Sequence, residues 1–363
     1  MFVKEEGTLN MKILILGGTG AMGEHLVNIL SKDKENQIFV TTRKNRISNT
    51  DNVSYLIGNA KIFSFLTNTI NKTKCDVIVD FMVYNTEEFK ERVDLFLSSC
   101  QQYIFLSSSR VYAESNKPLR EDSLRILDIC KDEAYLKTDE YALSKARQEN
   151  FLLNSQKRNW TIIRPYITYS ENRLQLGVLE KEYWLYTAIN CKALVFSEDI
   201  SKHITTLTYG YDVAYGISAL IGNKKAYGEA FHITGNNSIK WEEVFKIYTD
   251  VLKENGYIFE TKLKEQTHKL ETSGKYQVLY DRYFDRTFDN SKIAQFVDIE
   301  KFTKPEIGLR NCLNSFLINP KFLPINIGII YKIIKQTNGK IQFRKIPGLK
   351  QKIKYILLRM HII

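Results

Sequence analysis

Two residues four positions apart, Tyr141 and Lys145, could carry out proton transfer if they lie on a helix. Four residues make about one helical turn, so both side chains would share one face. A phenol has an ordinary pKa of about 10, too high for a base at neutral pH, but a neighbouring ammonium group stabilises the phenolate and lowers that pKa. Such a pair could take a proton from an alcohol, or return one to an alkoxide, if a third group held the reacting oxygen.

A cluster of three hydroxyl side chains, Ser107–Ser109, could supply that third group. The cluster closes an apolar, β-rich run that begins at Tyr103, and ligands of open α/β sheets bind outside the carboxyl ends of the strands. The same Tyr–Lys spacing recurs at Tyr331 and Lys335, inside a basic C-terminal segment. The serine cluster distinguishes the first pair, and we expect catalysis there.

Upstream of these residues, the run GGTGAMG lies between a strand-like segment and a helix-like one. In such a motif the first glycine permits a tight turn, the second lets the backbone approach a pyrophosphate, and the third lets the helix pack on the strand. The helix N-terminus then presents free N–H groups and partial positive charge to the phosphates. The pattern predicts a dinucleotide site that includes Gly17, Gly20, Met22 and Gly23.

The residues after the second predicted strand indicate which dinucleotide binds. NAD enzymes usually place an Asp or Glu there, which accepts hydrogen bonds from the ribose hydroxyls. Here the strand ends in Thr42, followed by Arg43 and Lys44. A carboxylate would repel a 2′-phosphate, whereas arginine can hold one in bidentate fashion. Thr42 and Arg43 therefore favour NADP, although solvated loop charges would give the same pattern and NAD stays open.

Apolar strand-like runs alternate with helix-like segments through the first half of the chain. The runs are Met11–Leu16, Gln37–Thr42, Cys75–Phe81, Tyr103–Ser107, Trp160–Arg164 and, later, Ala230–Thr234. The predicted helices include Glu24–Ser31, Glu88–Ser98, Glu140–Leu153 and Trp241–Asn255. This alternation predicts an α/β fold, a Rossmann-type doubly wound parallel sheet with a smaller, discontinuous C-terminal substrate lobe.

The alternation loosens after Pro165, and this change indicates the domain boundaries. We expect a short N-terminal extension (1–10) and a dinucleotide-binding domain (11–165) to which residues 208–234 return. The substrate lobe would comprise residues 166–207 and 235–320, and a basic amphipathic tail (321–363) would follow.

The net charge of +11 is concentrated at the C-terminus. Residues 321–363 contain ten Lys and Arg and no Asp or Glu, so the first 320 residues carry 42 basic and 41 acidic side chains. A near-neutral body disfavours a nucleic-acid groove. Within the tail, Ile353, Ile356, Leu357 and Met360 recur at helical spacing among lysines. That pattern suits peripheral contact with an anionic membrane, packing on the same protein, or packing in a homodimer.

Other features of the sequence favour a cytoplasmic protein. No apolar run reaches the roughly 18 residues of a membrane-spanning helix, and the N-terminus has no apolar signal segment. The five cysteines show no paired spacing, which suits a reducing compartment. His203, His232 and His268 show no metal-ligand spacing, so we expect no metal.

Four motifs, GGTGAMG, SSSRVY, YALSK and IIRP, occur in this order. They resemble the extended short-chain dehydrogenase/reductase family, the NAD-dependent epimerases and dehydratases of nucleotide-activated sugars. The resemblance covers residues 11–300. It implies that Ser108, three residues before Val111, is the catalytic serine and that Tyr141 and Lys145 are the catalytic pair. Asn59 stands where the family commonly has an Asp near the adenine, and we assign it to the cofactor.

One departure from the family pattern bears on the reaction. The family's 4,6-dehydratases follow their Thr or Ser with an acidic pair or a Glu, whereas Ser108 is followed by Ser109 and Arg110. The departure argues against a dehydratase and favours a nucleotide-sugar epimerase or 4-keto-reductase, in surface glycan biosynthesis of the bacterial type. A reductase of a non-sugar ketone, and a non-catalytic protein that senses NADP(H) or binds RNA, stay open as alternatives.

Substrate contacts are expected mainly from the second lobe. A nucleotide diphosphate needs cationic partners, and arginine suits it because two of its N–H groups can bind one phosphate. The residues assigned to the substrate are Ser109, Arg173, Arg282 and Arg286.

Overall fold

The centre of the molecule is a sheet of seven parallel strands. The computed structural model describes residues 10–264, 274–337 and 339–360, so the expected N-terminal extension lies, except for Asn10, outside the described residues. The strands of the sheet are β1 (Lys12–Leu16), β2 (Gln37–Thr42), β3 (Val53–Ile57), β4 (Val77–Asp80), β5 (Gln102–Leu106), β6 (Trp160–Pro165) and β13 (Glu229–Ile233). They lie in the order β13-β6-β5-β4-β1-β2-β3.

Shorter strands form four two-stranded sheets, most of them in the second lobe. These strands are β7 (Thr168–Tyr169), β8 (Gln175–Leu176), β9 (Leu179–Glu180), β10 (Ala193–Ser197), β11 (Ile204–Thr206), β12 (Thr208–Tyr209), β14 (Ser238–Lys240) and β15 (Glu260–Lys264).

Helices cover both faces of the main sheet and build most of the second lobe. They are α1 (Gly23–Leu30), α2 (Phe63–Thr73), α3 (Thr86–Ser99), α4 (Ile126–Ile129), α5 (Glu133–Leu136), α6 (Tyr141–Leu153), α7 (Trp184–Cys191), α8 (Gly210–Leu220), α9 (Trp241–Glu254), α10 (Lys275–Gln277), α11 (Pro305–Ile318), α12 (Ile327–Thr337) and α13 (Leu349–Arg359).

The buried strand β1 shows how the core is layered. Successive side chains of a strand point to opposite faces, so Ile13 and Ile15 pack under α1 and α8, whereas Leu14 and Leu16 pack under α2 and α3. Burial on both faces explains why this strand is a continuous apolar run in the sequence. The α/β fold with a parallel, doubly wound sheet is thereby confirmed.

The edge strand β3 is absent from the sequence-based prediction. Only Val53 is buried in it, and Ile57 at its end is exposed. It pairs with β2 through the register Ile38↔Val53 to Thr42↔Ile57. A half-exposed strand at the edge of a sheet has no continuous apolar run, so the pattern that finds the central strands does not find this one.

The second lobe has its own apolar core, built from α7, β10, α9 and α11. Within it, Trp184 stacks on Tyr248 with 4.6 Å between ring centroids. Two segments lie elsewhere than expected. Residues 293–302, assigned to the lobe, pack on the main sheet, where Phe296 meets Phe231 of β13 edge-on at 5.3 Å. Helix α12, assigned to a separate tail, is part of the lobe's core.

Among the residues that the structure describes, no helix combines the length and the apolar character needed to cross a bilayer.

A buried ion pair holds α6 on the sheet. The carboxylate of Glu149 accepts two hydrogen bonds from Arg164 of β6, both 2.8 Å long, and one from the Ser107 hydroxyl at 2.6 Å. It also lies 3.3 Å from Nη1 of Arg125. Burial by itself would raise the pKa of Glu149, but these cations and hydrogen bonds outweigh burial and lower it. The charge therefore persists inside the protein and ties the helix to two strands.

Replacing Arg164 with leucine should lower the free energy of unfolding by about 3–5 kcal/mol, because Glu149 would lose its main counter-charge and stay buried. The loss should be largest at neutral pH. In the wild type, the lowered pKa of Glu149 contributes stability above its ordinary value of 4.5, and that stability disappears as the pH falls. In the variant, the loss of Arg164 raises the pKa of the buried Glu149 carboxyl, so protonation relieves the uncompensated charge at a higher pH than in the wild type. Urea denaturation at several pH values measures both effects.

The control for this variant is Arg120→Leu. Arg120 lies 3.2 Å from Asp289 and 3.8 Å from Asp122, but its side chain is 61% exposed. Removing it should change the free energy of unfolding by less than about 1 kcal/mol. Equal losses in the two variants, or a loss in Arg164→Leu that does not depend on pH, would contradict the role assigned to the ion pair.

Candidate active site

The glycine run forms the turn between β1 and α1. Gly17 has a φ of +70°, in the left-handed region, and its N–H donates to Thr41 Oγ1 at 2.9 Å. A Cβ at Gly23 would lie 2.6 Å from the backbone of Gly18, so only glycine lets α1 pack this closely. A Cβ at Gly20 would meet nothing within 4 Å. The turn and the packing require the first and third glycines, whereas Gly20 borders open space where a ligand can approach the backbone.

A cavity of about 460 Å³ opens beside this turn. Its size is that of an ordinary small-molecule site. The lining includes five residues assigned to the cofactor, namely Gly17, Gly20, Thr42, Arg43 and Asn59. Gly23 is buried behind the turn, and Met22 precedes α1 and packs against the apolar layer of the sheet. Neither of these two residues is part of the cavity lining.

Positive charge borders the cavity at the end of β2. Among the described residues of the lining, Arg43 and Lys61 carry charge and no Asp or Glu is present. Lys61 lies 3.6 Å from Glu88, and Arg46, further along the loop from Arg43, is paired with Glu24 at 2.8 Å. Arg43 is therefore the cation best placed to meet an anionic group in this cavity. The sequence pattern did not predict a role for Lys61, because this residue follows the edge strand β3, which the apolar pattern did not reveal.

Ser108 and Tyr141 meet at the carboxyl end of β5. The Ser108 hydroxyl accepts the Arg110 N–H at 3.2 Å and caps a single helical turn, Ser109–Val111. Tyr141 is the first residue of α6, and the Ser108 hydroxyl lies close enough to lower the pKa of its phenol. Tyr141 is 37% exposed and Ser108 is buried, so the phenol projects from the wall of the site.

Lys145 lies one turn further along α6 and is buried. Its Nζ has no hydrogen-bond partner and lies 4.6 Å from the ring centroid of Phe105. Burial lowers the pKa of Lys145 to about 8, and the carboxylates of Asp80 and Glu149 oppose the shift. A buried ammonium group without acceptors is costly, and the hydroxyls of a ribose could supply them. This ammonium and the open backbone at Gly20 both fit a nicotinamide dinucleotide.

Arg110 lies over the ring of Tyr141, with its guanidinium carbon 5.5 Å from the ring centroid. Its Nη2 donates to Glu140 Oε1 at 2.6 Å, and its Nε lies 3.8 Å from Asp281 Oδ2. In the sequence, Arg110 stands out only as the replacement of an acidic residue. Its contact with Tyr141 depends on how the turn Ser109–Val111 packs against α6, and local spacing does not reveal such packing.

The electrostatics of Tyr141 differ from the expectation. Desolvation raises the pKa of Tyr141 above its ordinary value, and Arg110, Arg173 and the nearby Ser108 hydroxyl oppose that shift without reversing it. The sequence predicts that Lys145 is the main cation that lowers the pKa of the phenol. In the structure, Arg110 and Arg173 are the cations that lower that pKa most strongly. Tyr141 therefore holds its proton at neutral pH in the protein alone.

Arg173 approaches Tyr141 from the second lobe. Its guanidinium donates to Thr168 Oγ1 at 3.2 Å and to Glu180 Oε1 at 3.3 Å, and its side chain is 42% exposed. Of the residues assigned to the substrate, it is one that the structure brings to the site.

Three other residues assigned to the substrate are buried in structural contacts. The Ser109 hydroxyl donates to the carbonyl of Arg164 at 2.8 Å. Arg282 donates to Asp281 and to a backbone carbonyl, and Arg286 donates to Asp281 at 3.2 Å and to two further carbonyls. The structure places these three side chains in contacts inside the protein and not on the wall of the site, which disfavours the predicted substrate contacts. Residue type alone does not reveal that a buried acid such as Asp281 pairs with these arginines.

The histidines serve structural contacts where the structure describes them. His232 is buried, with Nδ1 3.3 Å from the Tyr112 hydroxyl and Nε2 2.7 Å from the Asp289 carbonyl. His203 lies 3.3 Å from Asp285, and His268 lies outside the described residues. Over residues 10–264, 274–337 and 339–360, no group of three or more His, Cys, Asp or Glu is arranged to hold a metal ion.

Two curated proteins are similar to part of this chain. The chloroplast stem-loop binding protein of 41 kDa b from Arabidopsis thaliana is 26% identical over 249 residues, which are 65% of this chain and 61% of that protein. A dTDP-D-glucose 4,6-dehydratase from Dictyostelium discoideum is 25% identical over 175 residues, 40% of each chain. In both cases the similarity spans less than two thirds of the relative's length.

Solved structures resemble the whole fold. A dTDP-glucose 4,6-dehydratase from Bacillus anthracis in complex with NAD has a TM-score of 0.63 at 17% identity, covering 85% of this chain and 97% of its own. A UDP-glucuronic acid 4-epimerase from Bacillus cereus with UDP-glucuronic acid and NAD has a TM-score of 0.61 at 17% identity (85% and 99%). Gre2 from Candida albicans with NADPH has a TM-score of 0.59 at 15% identity (86% and 100%). At these identities the similarity shows the fold.

The family assignment follows from the part of the chain that carries the glycine run and the Ser–Tyr–Lys set. Residues 13–224, more than half of the chain, match the model of one protein family. The matched range runs from β1 to the segment after α8 and therefore includes Ser108, Tyr141 and Lys145. This chain belongs to the NAD dependent epimerase/dehydratase family.

Proposed function

We propose that this protein is an NADP-dependent epimerase or 4-keto-reductase of a nucleotide-activated sugar, acting in surface glycan assembly. The observation that carries the proposal is that Ser108 lies beside the Tyr141 phenol at the carboxyl end of β5, one helical turn from the buried ammonium group of Lys145. A hydroxyl that holds the reacting oxygen, a phenol that exchanges its proton and a nearby cation are what oxidation of an alcohol requires.

Each of these residues has one task in the proposed reaction. The nicotinamide, when bound, supplies the hydride acceptor or donor. Tyr141 exchanges the substrate's proton at its phenolic oxygen, and Ser108 holds the substrate oxygen by a hydrogen bond. Lys145 binds ribose hydroxyls, which provide the acceptors that its Nζ lacks. Arg110, over the ring of Tyr141, stabilises the phenolate when the proton leaves.

NADP is the proposed cofactor. Solved structures of similar fold carry NAD or NADPH. In this chain, Thr42 and Arg43 border the cavity where an NAD site usually places an acidic side chain. Arg43 can bind a 2′-phosphate with two N–H groups, and this supports NADP over NAD.

The proposed chemistry is oxidation and reduction at a single carbon. Ser109 and Arg110 stand where the 4,6-dehydratases carry acidic residues. Ser109 is buried against a backbone carbonyl, and Arg110 is held between Glu140 and Asp281. Neither side chain can supply an acid and a base for water elimination. This argument favours an epimerase or reductase, although two of the similar proteins are named 4,6-dehydratases.

A second candidate function is binding of nucleic-acid stem-loops without turnover. The name of the Arabidopsis thaliana relative, which matches 65% of this chain, favours it. Because residues 1–320 carry 42 basic and 41 acidic side chains, such contacts would fall on the basic C-terminal segment. The two candidates differ in whether Tyr141 is needed, so the next experiment separates them.

Tyr141→Phe should reduce turnover by about 100- to 10,000-fold, because the phenol is the proposed proton carrier. The assay incubates the purified full chain with a panel of nucleotide sugars and their 4-keto forms and follows NADPH absorbance and isomer formation. NADPH consumption on a 4-keto sugar identifies a reductase, and isomer formation without net consumption identifies an epimerase.

Tyr211→Phe is the matched control, because Tyr211 is exposed to a similar degree (40%) on α8. It should retain wild-type turnover. If no nucleotide sugar is turned over by the wild type, or if Tyr141→Phe is as active as the wild type, the proposed function is wrong.

Arg43→Ala should raise the KM for NADPH roughly 10- to 100-fold, as expected for the loss of a charge-assisted hydrogen bond to the 2′-phosphate. The KM for NADH should stay within about twofold, because NADH lacks that phosphate. The control is Arg46→Ala, which removes an arginine of the same loop that is already paired with Glu24. If Arg43→Ala affects both cofactors equally, Arg43 does not bind the 2′-phosphate.

The affinity for NADPH should fall as the pH is raised through about 8, because Lys145 loses its proton there and with it the ammonium that binds the ribose. Lys145→Arg stays protonated over this range and should shift the fall to higher pH. Lys145→Met should bind weakly at every pH. Fluorescence titration of NADPH between pH 6 and pH 10 distinguishes these profiles, and a flat wild-type profile would refute the role of Lys145.

A further inference from the structure

The last two described helices combine strong positive charge with exposed apolar side chains. From Lys321 onward the chain carries ten Lys and Arg and no Asp or Glu, so its cations have no acidic partner within this segment. The charge does not belong to the cofactor cavity, which is lined by residues 17–83. The basic C-terminal segment is therefore separate from the cofactor cavity.

Helix α13 is attached to the protein along one side. Tyr355 is buried and meets the ring of Tyr331 edge-on at 6.2 Å. Gln351 Oε1 accepts the backbone N–H of Ile327 at 3.1 Å, at the start of α12. In turn, α12 packs its isoleucines against Tyr186 and the rest of the second lobe. These contacts set the orientation of α13, so the face opposite Tyr355 points away from the protein.

That outward face is an apolar stripe. Leu349, Ile353, Ile356 and Met360 are spaced by four, three and four residues, which places them on one side of a helix. Their exposed fractions are 74%, 50%, 44% and 62%. At 3.6 residues per turn, Lys352 and Arg359 border one edge of the stripe and Lys350 borders the other, whereas the Nζ of Lys354 lies 3.5 Å from Asn326 Oδ1 beside α12.

A basic pocket of about 560 Å³ lies between α12 and α13, next to this stripe. Three cations line it, Lys335, Lys340 and Arg359, together with the ring of Tyr331. The described residues of its lining include no Asp or Glu. Three cations converging without a carboxylate form a site for a phosphate group, and Arg359 belongs to both the pocket and the border of the stripe.

We propose that α13 and this basic pocket are a docking surface for an anionic phospholipid bilayer. The apolar stripe enters the boundary between headgroups and acyl chains, the flanking lysines meet the negative surface, and the pocket takes a lipid phosphate. A second copy of the chain is a poor occupant, because two segments with ten cations and no acids repel each other. A nucleic acid would use the cations but would leave the leucine and isoleucine side chains in water.

The test is flotation of the full chain with vesicles of phosphatidylglycerol and phosphatidylcholine in equal parts, and with vesicles of phosphatidylcholine alone. The wild type should float with the anionic vesicles and not with the neutral ones. The double variant Ile353→Asp, Ile356→Asp should lose at least about tenfold in partitioning. Lys335→Gln, Lys340→Gln should lose roughly fivefold for each charge removed.

Two matched controls test whether position matters. Ile47→Asp, Leu124→Asp introduces the same two charges at apolar residues that are 89% and 64% exposed in the dinucleotide-binding domain, and Lys224→Gln, Lys225→Gln removes two exposed lysines after α8. Both should float like the wild type. Unchanged NADPH affinity in the α13 and pocket variants shows that the rest of the protein is folded, and it keeps this test separate from that of the proposed function.

Three results would overturn the proposal. The first is a wild type that does not float, or α13 and pocket variants that float as well as it does. The second is a dimer in sedimentation equilibrium that Ile353→Asp, Ile356→Asp dissociates, without any binding to vesicles. The third is a stem-loop RNA that binds the wild type while anionic vesicles do not, because the basic surface would then serve nucleic acid.

Discussion

The arrangement of the candidate catalytic side chains depends on one buried carboxylate, that of Glu149. It lies one helical turn after Lys145 and two turns after Tyr141 on α6. It accepts hydrogen bonds from Arg164 of β6 and from Ser107, the residue before Ser108. This one carboxylate joins α6 to Ser107 and to β6. Its hydrogen bonds therefore set the relative positions of Ser108, Tyr141 and Lys145. A rotation of the helix would break all of these contacts together.

The same network leaves Lys145 without a direct partner. Arg164 neutralises Glu149, and the other nearby acid, Asp80, accepts hydrogen bonds from Tyr103 at 2.8 Å and from the Met82 N–H at 2.9 Å. Burial raises the pKa of Asp80 to about 6, so this carboxylate is still largely charged at neutral pH and attracts Lys145 without a hydrogen bond to it. The hydrogen bonds of Glu149 and Asp80 thus stabilise the fold, and the ammonium group of Lys145 stays available to a ligand.

The central strands, and the placement of Tyr141 and Lys145 on one helix beside Ser108, could be predicted from the sequence because their signals are local. A strand buried on both faces, such as β1, is a continuous apolar run, and Tyr141 and Lys145 are separated by one turn of one helix. Contacts between distant segments leave no such signal. Arg282 and Arg286 were expected at the substrate, yet both are paired with Asp281 in the interior. The contact of Arg110 with Tyr141 and the packing of α12 into the second lobe were missed for the same reason.

The chain passes several times between the two lobes, and this path limits how such a protein can acquire a new substrate preference. The chain leaves the main sheet after β6, returns for α8 and β13, leaves again for α9, returns for residues 293–302 and leaves once more for α11. The second lobe is therefore interleaved with the main sheet and its helices, and one cut cannot detach it as an exchangeable module. New substrate preferences in this architecture must arise by replacing side chains in place.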